Sequence, residues 1–569
     1  MCRDLEVPMR DGVRLATDVY LPQPAEQFPV ILHRLPYGKR QAMSVDDINA
    51  FADAQYAVVI QDTRGRFGSE GEFRPFSDER RDGEDTLAWV IQQSWCDGNV
   101  GMVGASYHGA TQWMAASANP PGLRAIAPSF TSTGYYDGWA YRGGAFQLGF
   151  ALYWTMRFLA LSDLQKRKLA GSQVGAEIAA MIDAIDRSQQ TYETMPLVDV
   201  QLPSTAGYYR DWLEHPERDV YWNRTAPEQD YREIAVPTLN IGGWYDCFLG
   251  GTLANYVGVK ARGRTQANRS PRLIIGPWAH GVLGGEFPEL MFGMNGDAAM
   301  LPLIQEQIRF FDHHIRGVPD LADARPVKLF VMGANVWREE HSWPISSTRY
   351  LPYYLSGSRV DDARSGALST ALPGAEIPDE FCYDPANPVP TIGGQTFLPG
   401  LRMAVNAGPR DQRSMERRPD VLCFTTAPLE HDLDVIGPVN ATLYASSSAR
   451  DTDFTAKLVD VHPDGTAMIL TDGILRARYR DSLAKPAPMR PGEIYKIEID
   501  LWATANRFKA GHRIRLEVSS SNFPRFDRNT NTGGVIAQEA LSDCVVARNT
   551  IYHDRDHASH LLLPVVSPT

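Results

Sequence analysis

The chain has 569 residues, enough for about three domains. Its hydrophobic share of 43% and charged share of 22% are those of a globular protein, and a net charge of -12 argues against nucleic acid or an anionic membrane surface as a partner. No run reaches the ~20 apolar residues of a bilayer span; the longest candidate, residues 143–156, stands between Arg142 and Arg157.

The first residues, Met-Cys-Arg-Asp-Leu-Glu, lack the apolar core of a signal peptide. The six cysteines (Cys2, Cys96, Cys247, Cys382, Cys423 and Cys544) include no C-x-x-C pair, so free thiols and a cytoplasmic setting are expected. Residues 7–22 read as a hairpin turning at Asp11-Gly12. Residues 28–33 and 56–61 read as buried strands, and residues 82–93 carry helical spacing. A short strand at 100–103 runs into Gly104-Ala105-Ser106, and a helix follows from Tyr107 until Pro120 and Pro121 stop it. Strands alternating with helices predict a doubly wound, mostly parallel sheet, an α/β-hydrolase-like core. After Phe130 the rhythm breaks: residues 131–232 are aromatic and helical, an inserted cap, with the clearest helix at 173–185. Strands resume at 236–242 and 272–275, an amphipathic helix covers 303–315, and a last strand is expected at 327–332. From about residue 341 short β-rich runs separated by Asp-Gly and Pro-Gly turns predict a C-terminal β-sandwich, a jelly roll. The expected division is hydrolase 1–130, cap 131–232, hydrolase 233–340 and jelly roll 341–569.

A strand, a small-residue turn carrying Ser106, and a helix make a nucleophile elbow, which lifts the hydroxyl above the sheet and turns the Tyr107 N–H toward an oxyanion. Such a serine needs a base and an orienting acid, expected later in the chain in the order acid, then histidine. Asp246, in Gly243-Trp-Tyr-Asp246, and His280, in Gly276-Pro-Trp-Ala-His280, each stand just past the carboxyl end of their own strand. The turn after the first buried strand supplies the second oxyanion donor in such folds, and here it offers the phenol of Tyr37. His108 occupies the place of the second glycine in G-x-S-x-G, with Gly109 beyond it, and is expected to be a packing residue or pocket wall. His553, His557 and His560 have helical i, i+4, i+7 spacing but lie among strands, so a surface loop is expected there and no metal or other cofactor is assigned.

Gly104-Ala-Ser-Tyr-His-Gly109, the two loops just quoted, Asp62-Thr-Arg-Gly65 and Asp451-Thr-Asp-Phe-Thr455 together resemble the cocaine esterase / X-Pro dipeptidyl-peptidase family of serine hydrolases, peptidase family S15. The resemblance runs over nearly the whole chain and is weakest in the cap. It implies a triad of Ser106, Asp246 and His280, oxyanion donors Tyr37 and Tyr107, and an aromatic acyl pocket at Trp139, Trp154, Phe248, Phe397 and Leu398. Relatives that act on α-amino acid esters carry acidic residues just after the catalytic Asp, where this chain has Cys247, Phe248 and Leu249; Asp137 is the lone cap acid expected nearby. The expected activity is therefore that of a serine carboxylesterase on aryl or bulky apolar acyl esters, a small-molecule substrate being the partner and room being left for a homodimer. Two rival readings are an amide-cleaving acylase or X-Pro dipeptidyl-peptidase on the same triad, and a carbohydrate-binding module whose hydrolase part is vestigial.

Overall fold

The computed structural model describes all residues except 1, 24–25, 225, 267, 322, 358–364, 400–405 and 568–569. The N-terminal hairpin of β1 (Cys2–Pro8) and β2 (Arg14–Tyr20) turns where expected, with Gly12 at φ 87°. It forms one edge of a ten-stranded sheet. The other strands are β3 (Phe28–Leu35), β4 (Ala57–Asp62), β5 (Cys96–Ala105), β6 (Leu123–Ser129), β9 (Leu239–Tyr245), β10 (Arg272–Ala279), β11 (Val327–Val331) and β12 (Val336–Glu340). Their spatial order is β1-β2-β4-β3-β5-β6-β9-β10-β11-β12. The pairs from β4 through β11 are parallel, and the outermost pairs are antiparallel. Every residue of β3, β4 and β9 is buried, as expected of strands covered on both faces. Helices α1 (Val45–Asp53), α2 (Glu79–Val90) and α3 (Tyr107–Ser117) belong to the first half of this sheet. The edge strand β12 went unnoticed in the sequence because Val336-Trp-Arg-Glu-Glu340 is mostly charged.

Between β6 and β9 the chain is helical apart from a two-stranded ribbon, β7 (Tyr141–Arg142) with β8 (Ala145–Phe146). The helix Leu148–Trp154 passes through a π-helical turn at Thr155–Ala160 into the helix Leu161–Leu169. Such turns are frequent at functional sites. The expected helix at 173–185 is Gly175–Asp186.

The C-terminal strands form an eleven-stranded set beginning at Arg349–Ser356 and ending at His560–Val566. Two strands here are much longer than expected: Leu433–Ser447 pairs antiparallel with Tyr495–Phe508, and an irregularity between Pro438 and Asn440 bends the pair. One apolar cluster joins the two sheets, with Trp244, Tyr245 and Leu329 packed among Leu443, Leu458 and Leu516. Backbone bonds cross the junction as well: Met332 N–H donates to the Ala505 carbonyl at 2.9 Å, and Arg507 N–H to the Met332 carbonyl at 2.8 Å. No helix among the described residues is long and apolar enough to cross a membrane.

Residues 553–559 form a loop between the last two strands, as expected, but His553 does not lie on its surface. Its side chain is fully buried, with Nδ1 3.1 Å from Glu376 Oε2 and Nε2 3.0 Å from Asp379 Oδ2. His557 turns instead to Asp554, and His560 Nδ1 to the Ala558 carbonyl. The segment is a loop and not a helix, so each imidazole finds a different partner.

Candidate active site

Ser106 sits at the junction of β5 and α3 with φ 61° and ψ -128°, a conformation that costs an L-residue energy and is held by its surroundings. Its N–H donates to the Ser129 carbonyl at 2.9 Å, which ties the turn to β6. Gly104, at φ 133°, leaves no room for a side chain, since a Cβ there would stand 2.5 Å from the His108 Cβ. Gly109 is equally constrained: its Cβ would stand 2.6 Å from Thr131. The displaced glycine thus does the packing work that lets α3 come close to the chain leaving β6.

The two later strands deliver their loops to the same point. Asp246, one residue past β9, is completely buried; its Oδ1 accepts from the Phe248 N–H at 2.7 Å and its Oδ2 lies 2.7 Å from His280 Nδ1. His280, one residue past β10, keeps 11% of its side chain exposed, and its Nε2 lies 3.1 Å from Ser106 Oγ. With Nδ1–H donated to the carboxylate, Nε2 is left as the acceptor for the serine proton.

Tyr37 follows β3. Its hydroxyl contacts the Ser106 side chain and accepts a 2.7 Å hydrogen bond from the Trp154 indole N–H. Burial pushes the phenol above its ordinary pKa, so it stays protonated and available as a donor. The loop carrying it is fixed from two sides. Asp62 accepts from Lys39 N–H at 2.6 Å and Gly68 N–H at 3.2 Å, and burial pushes its carboxyl up to about 6. Buried Arg66 donates to the Pro36 carbonyl at 2.9 Å and to the Leu159 carbonyl at 3.3 Å, joining the Tyr37 loop to the π-helical turn beside Trp154. Tyr107 opens α3, where backbone N–H groups have no intrahelical acceptor. Its phenol is anchored 3.1 Å from Glu79 Oε1 and accepts from the Phe76 N–H at 2.9 Å. Burial lifts Glu79 to about 7.

The aromatic residues gather around this point. Trp139 stacks on Phe248 at 4.2 Å and meets Trp154 edge-on at 5.6 Å. Phe248 and Phe397 each present a ring to His280, at 5.2 and 5.1 Å. Leu398 packs against Gly149, and Phe150 lies between Trp154 at 5.6 Å and Phe397 at 5.9 Å. Phe150 was missed in the sequence because it stands in an aromatic-rich helix with nothing to distinguish it from core. Asp137 does not join the group: it accepts from the Gly143 N–H at 3.0 Å and lines a different cleft, with Arg142, Asp500 and Trp502. His108 lies against the Tyr37 ring at 5.3 Å, and its Nδ1 meets His33 Nε2 at 2.6 Å. Burial holds His108 well below its ordinary pKa and brings His33 down to about 4, so both rings are neutral at pH 7.

Residues 11–282 match the model of the X-Pro dipeptidyl-peptidase (S15 family), and residues 320–562 that of the X-Pro dipeptidyl-peptidase C-terminal non-catalytic domain. Cocaine esterase of Rhodococcus sp. is 44% identical over 577 aligned residues, covering 98% of this chain and 97% of that protein. The chain belongs to the S15 family. Among solved structures, an aminopeptidase from a marine sediment Thaumarchaeota archaeon superposes with a TM-score of 0.82 at 26% identity, covering 99% of this chain and 96% of its own. An α-amino acid ester hydrolase gives a TM-score of 0.80 at 27% identity, with the same coverage of 99% and 96%. The chain is thus similar both to proteins named for ester hydrolysis and to proteins named for peptide hydrolysis, and the choice between them falls to the walls of the site.

Proposed function

We propose that this S15 chain is a serine carboxylesterase in which Ser106, His280 and Asp246 form the triad and Tyr37 with the Tyr107 amide forms the oxyanion hole. The observation that carries the reading is the continuous line Asp246–His280–Ser106, at 2.7 and 3.1 Å, ending beside the Tyr37 hydroxyl. His280 Nε2 takes the serine proton as Oγ attacks the ester carbonyl. Asp246 holds the ring in the required tautomer and stabilises the imidazolium. The tetrahedral oxyanion receives the Tyr37 O–H and the Tyr107 N–H, and collapse releases the alcohol, protonated by His280. Water then attacks the acyl-enzyme by the same route in reverse order, freeing the acid.

The acyl group we assign is aromatic or bulky and apolar, and Trp139, Trp154, Phe248, Phe397 and Leu398 are the residues proposed to hold it. An ammonium-bearing substrate needs a desolvated carboxylate partner. The residues after Asp246 are Cys247, Phe248 and Leu249, all buried and uncharged at neutral pH, and Asp137 points elsewhere. That weighs against the aminopeptidase and α-amino ester readings. The setting we propose is the cytoplasm, a reading supported by the six free cysteines.

The test is a panel of 4-nitrophenyl benzoate, an α-amino acid ester and an X-Pro anilide, with wild type and Ser106→Ala. The benzoate ester should be turned over fastest, and Ser106→Ala should lower its kcat by several orders of magnitude, about 10⁴ or more. Faster cleavage of the X-Pro anilide would replace this assignment with a peptidase. Failure of a fluorophosphonate to label Ser106 would point to a vestigial hydrolase.

A further inference from the structure

Away from the triad, two turns of the C-terminal sheet bring two imidazoles and a carboxylate together. The strands Asp453–Val461 and Arg513–Ser519 pair antiparallel with Val461 opposite Arg513, so His462 and His512 meet just beyond the end of the ladder. Their rings are 4.6 Å apart and tilted by 39°. Asp460 Oδ1 lies 2.8 Å from His512 Nδ1, and one donor atom from each of the three residues lies within 4.8 Å of the others. His462 stands on a closed turn, its N–H donating to the Thr466 carbonyl at 2.8 Å and its carbonyl accepting from the Gly465 N–H at 2.9 Å. The group opens on a cavity of about 110 Å³ at the seam between the two sheets, which Tyr245 and Met332 also line. Nothing in the ester mechanism uses these side chains.

A carboxylate oxygen with two imidazole nitrogens is a ligand set for zinc-like divalent ions; calcium and magnesium take oxygen ligands instead. Two donors each ~2.0–2.1 Å from one ion and at the tetrahedral angle about it stand roughly 3.3 Å apart. The 2.8 Å separation of Asp460 and His512 reaches adjacent positions around one ion by opening about half an ångström, once the ion has taken the place of the proton between them. The cavity has room for waters, at about 30 Å³ each, to fill remaining positions. Lys509, which also lines it, opposes the ion's charge and limits affinity.

We propose that Asp460, His462 and His512 bind one divalent transition-metal ion of the Zn²⁺ type, clamping two turns of the C-terminal sheet together at its seam with the hydrolase sheet. The full chain, stripped with EDTA and returned to neutral buffer, is titrated with Zn²⁺ alone against a chromophoric chelator, beside His462→Phe and His512→Asn. Wild type should bind one ion per chain, and either substitution should weaken that binding by about tenfold or more. The accompanying rise in Tm should disappear in both variants, while ester turnover of the stripped protein stays unchanged. Asp460→Asn, which keeps the shape and removes the charge, serves if a histidine variant does not fold. No binding by wild type overturns the proposal. So does equal stoichiometry and affinity in the variants, which would place the ion on other groups such as His557 or Cys247.

Discussion

Tyr37 meets two demands through one oxygen. It accepts the Trp154 N–H at 2.7 Å, which fixes where the hydroxyl points, and its own proton is left free for the oxyanion of the proposed mechanism. A phenol buried this deeply stays protonated at neutral pH, so the proposed donor is neutral and present. Tyr37→Phe should lower kcat for a neutral aryl ester by about 10²–10³ with little change in KM, because the lost bond is made to the transition state rather than to the ester. Trp154→Phe should cost less, roughly tenfold, since it frees the hydroxyl to rotate without removing it. Steady-state kinetics on the two variants checks both, and an unchanged kcat in Tyr37→Phe would remove the phenol from the oxyanion hole. The positions of Ser106, Asp246, His280 and Tyr37 were legible in the sequence because each follows its own strand, and strand ends are where such sheets gather their loops. The Trp154–Tyr37 bond was not legible: 117 residues separate the two, and an indole in an aromatic helix reads as core.

The contact between β3 and α3 carries a pH dependence that its apolar surroundings create. His33, on β3, and His108, in the first turn of α3, share one hydrogen bond at 2.6 Å that requires one ring to donate and the other to accept. Protonating both removes the acceptor, and burial brings His33 down to about 4 from an ordinary value of 6.5. The folded pKa is depressed, so the stability this group contributes is full above pH 6.5. It is lost as pH falls toward about 4, at roughly 1.4 kcal/mol per pH unit for one such group. Asp62 and Glu79 work in the opposite sense. Their folded pKa values, about 6 and about 7, are raised, so their contribution grows as pH falls through those values. A comparison therefore has to isolate the pair. His33→Val with His108→Leu, which fills similar space without titrating, should lose less Tm than wild type between pH 6.5 and pH 4.5. Parallel Tm curves for the two proteins would sink the idea. Both histidines were in plain view in the sequence, but nothing local marks residues 75 positions apart as partners. His108 was identifiable only as an oddity in its motif.

On the scale of the whole molecule the change of character near residue 341 was visible as a switch from strand–helix alternation to turn-punctuated strands. What that pattern could not convey is how closely the two sheets are joined. Their apolar residues form one cluster, in which Trp244 and Tyr245, the residues leading to Asp246, pack with side chains from strands more than 180 positions later. Arg142 of the β7–β8 ribbon donates to the Asp472 carbonyl at 2.6 Å and to the Asp500 carbonyl at 3.1 Å, and lies 3.6 Å over the Trp502 ring. Phe397, from the C-terminal part of the chain, reaches the ring of His280. Separating the parts would expose this apolar surface and exchange the hydrogen bonds across the junction for bonds to water, a net loss of about 0.5–1.5 kcal/mol each in addition to the lost burial. The loops on which Asp246 and His280 stand would lose their backing at the same time. Calorimetry should therefore record a single unfolding transition, with calorimetric and van't Hoff enthalpies near agreement, and esterase activity should vanish along that same curve. Two resolved transitions, with activity surviving the first, would mean that the C-terminal sheet only covers the site and does not hold it in shape.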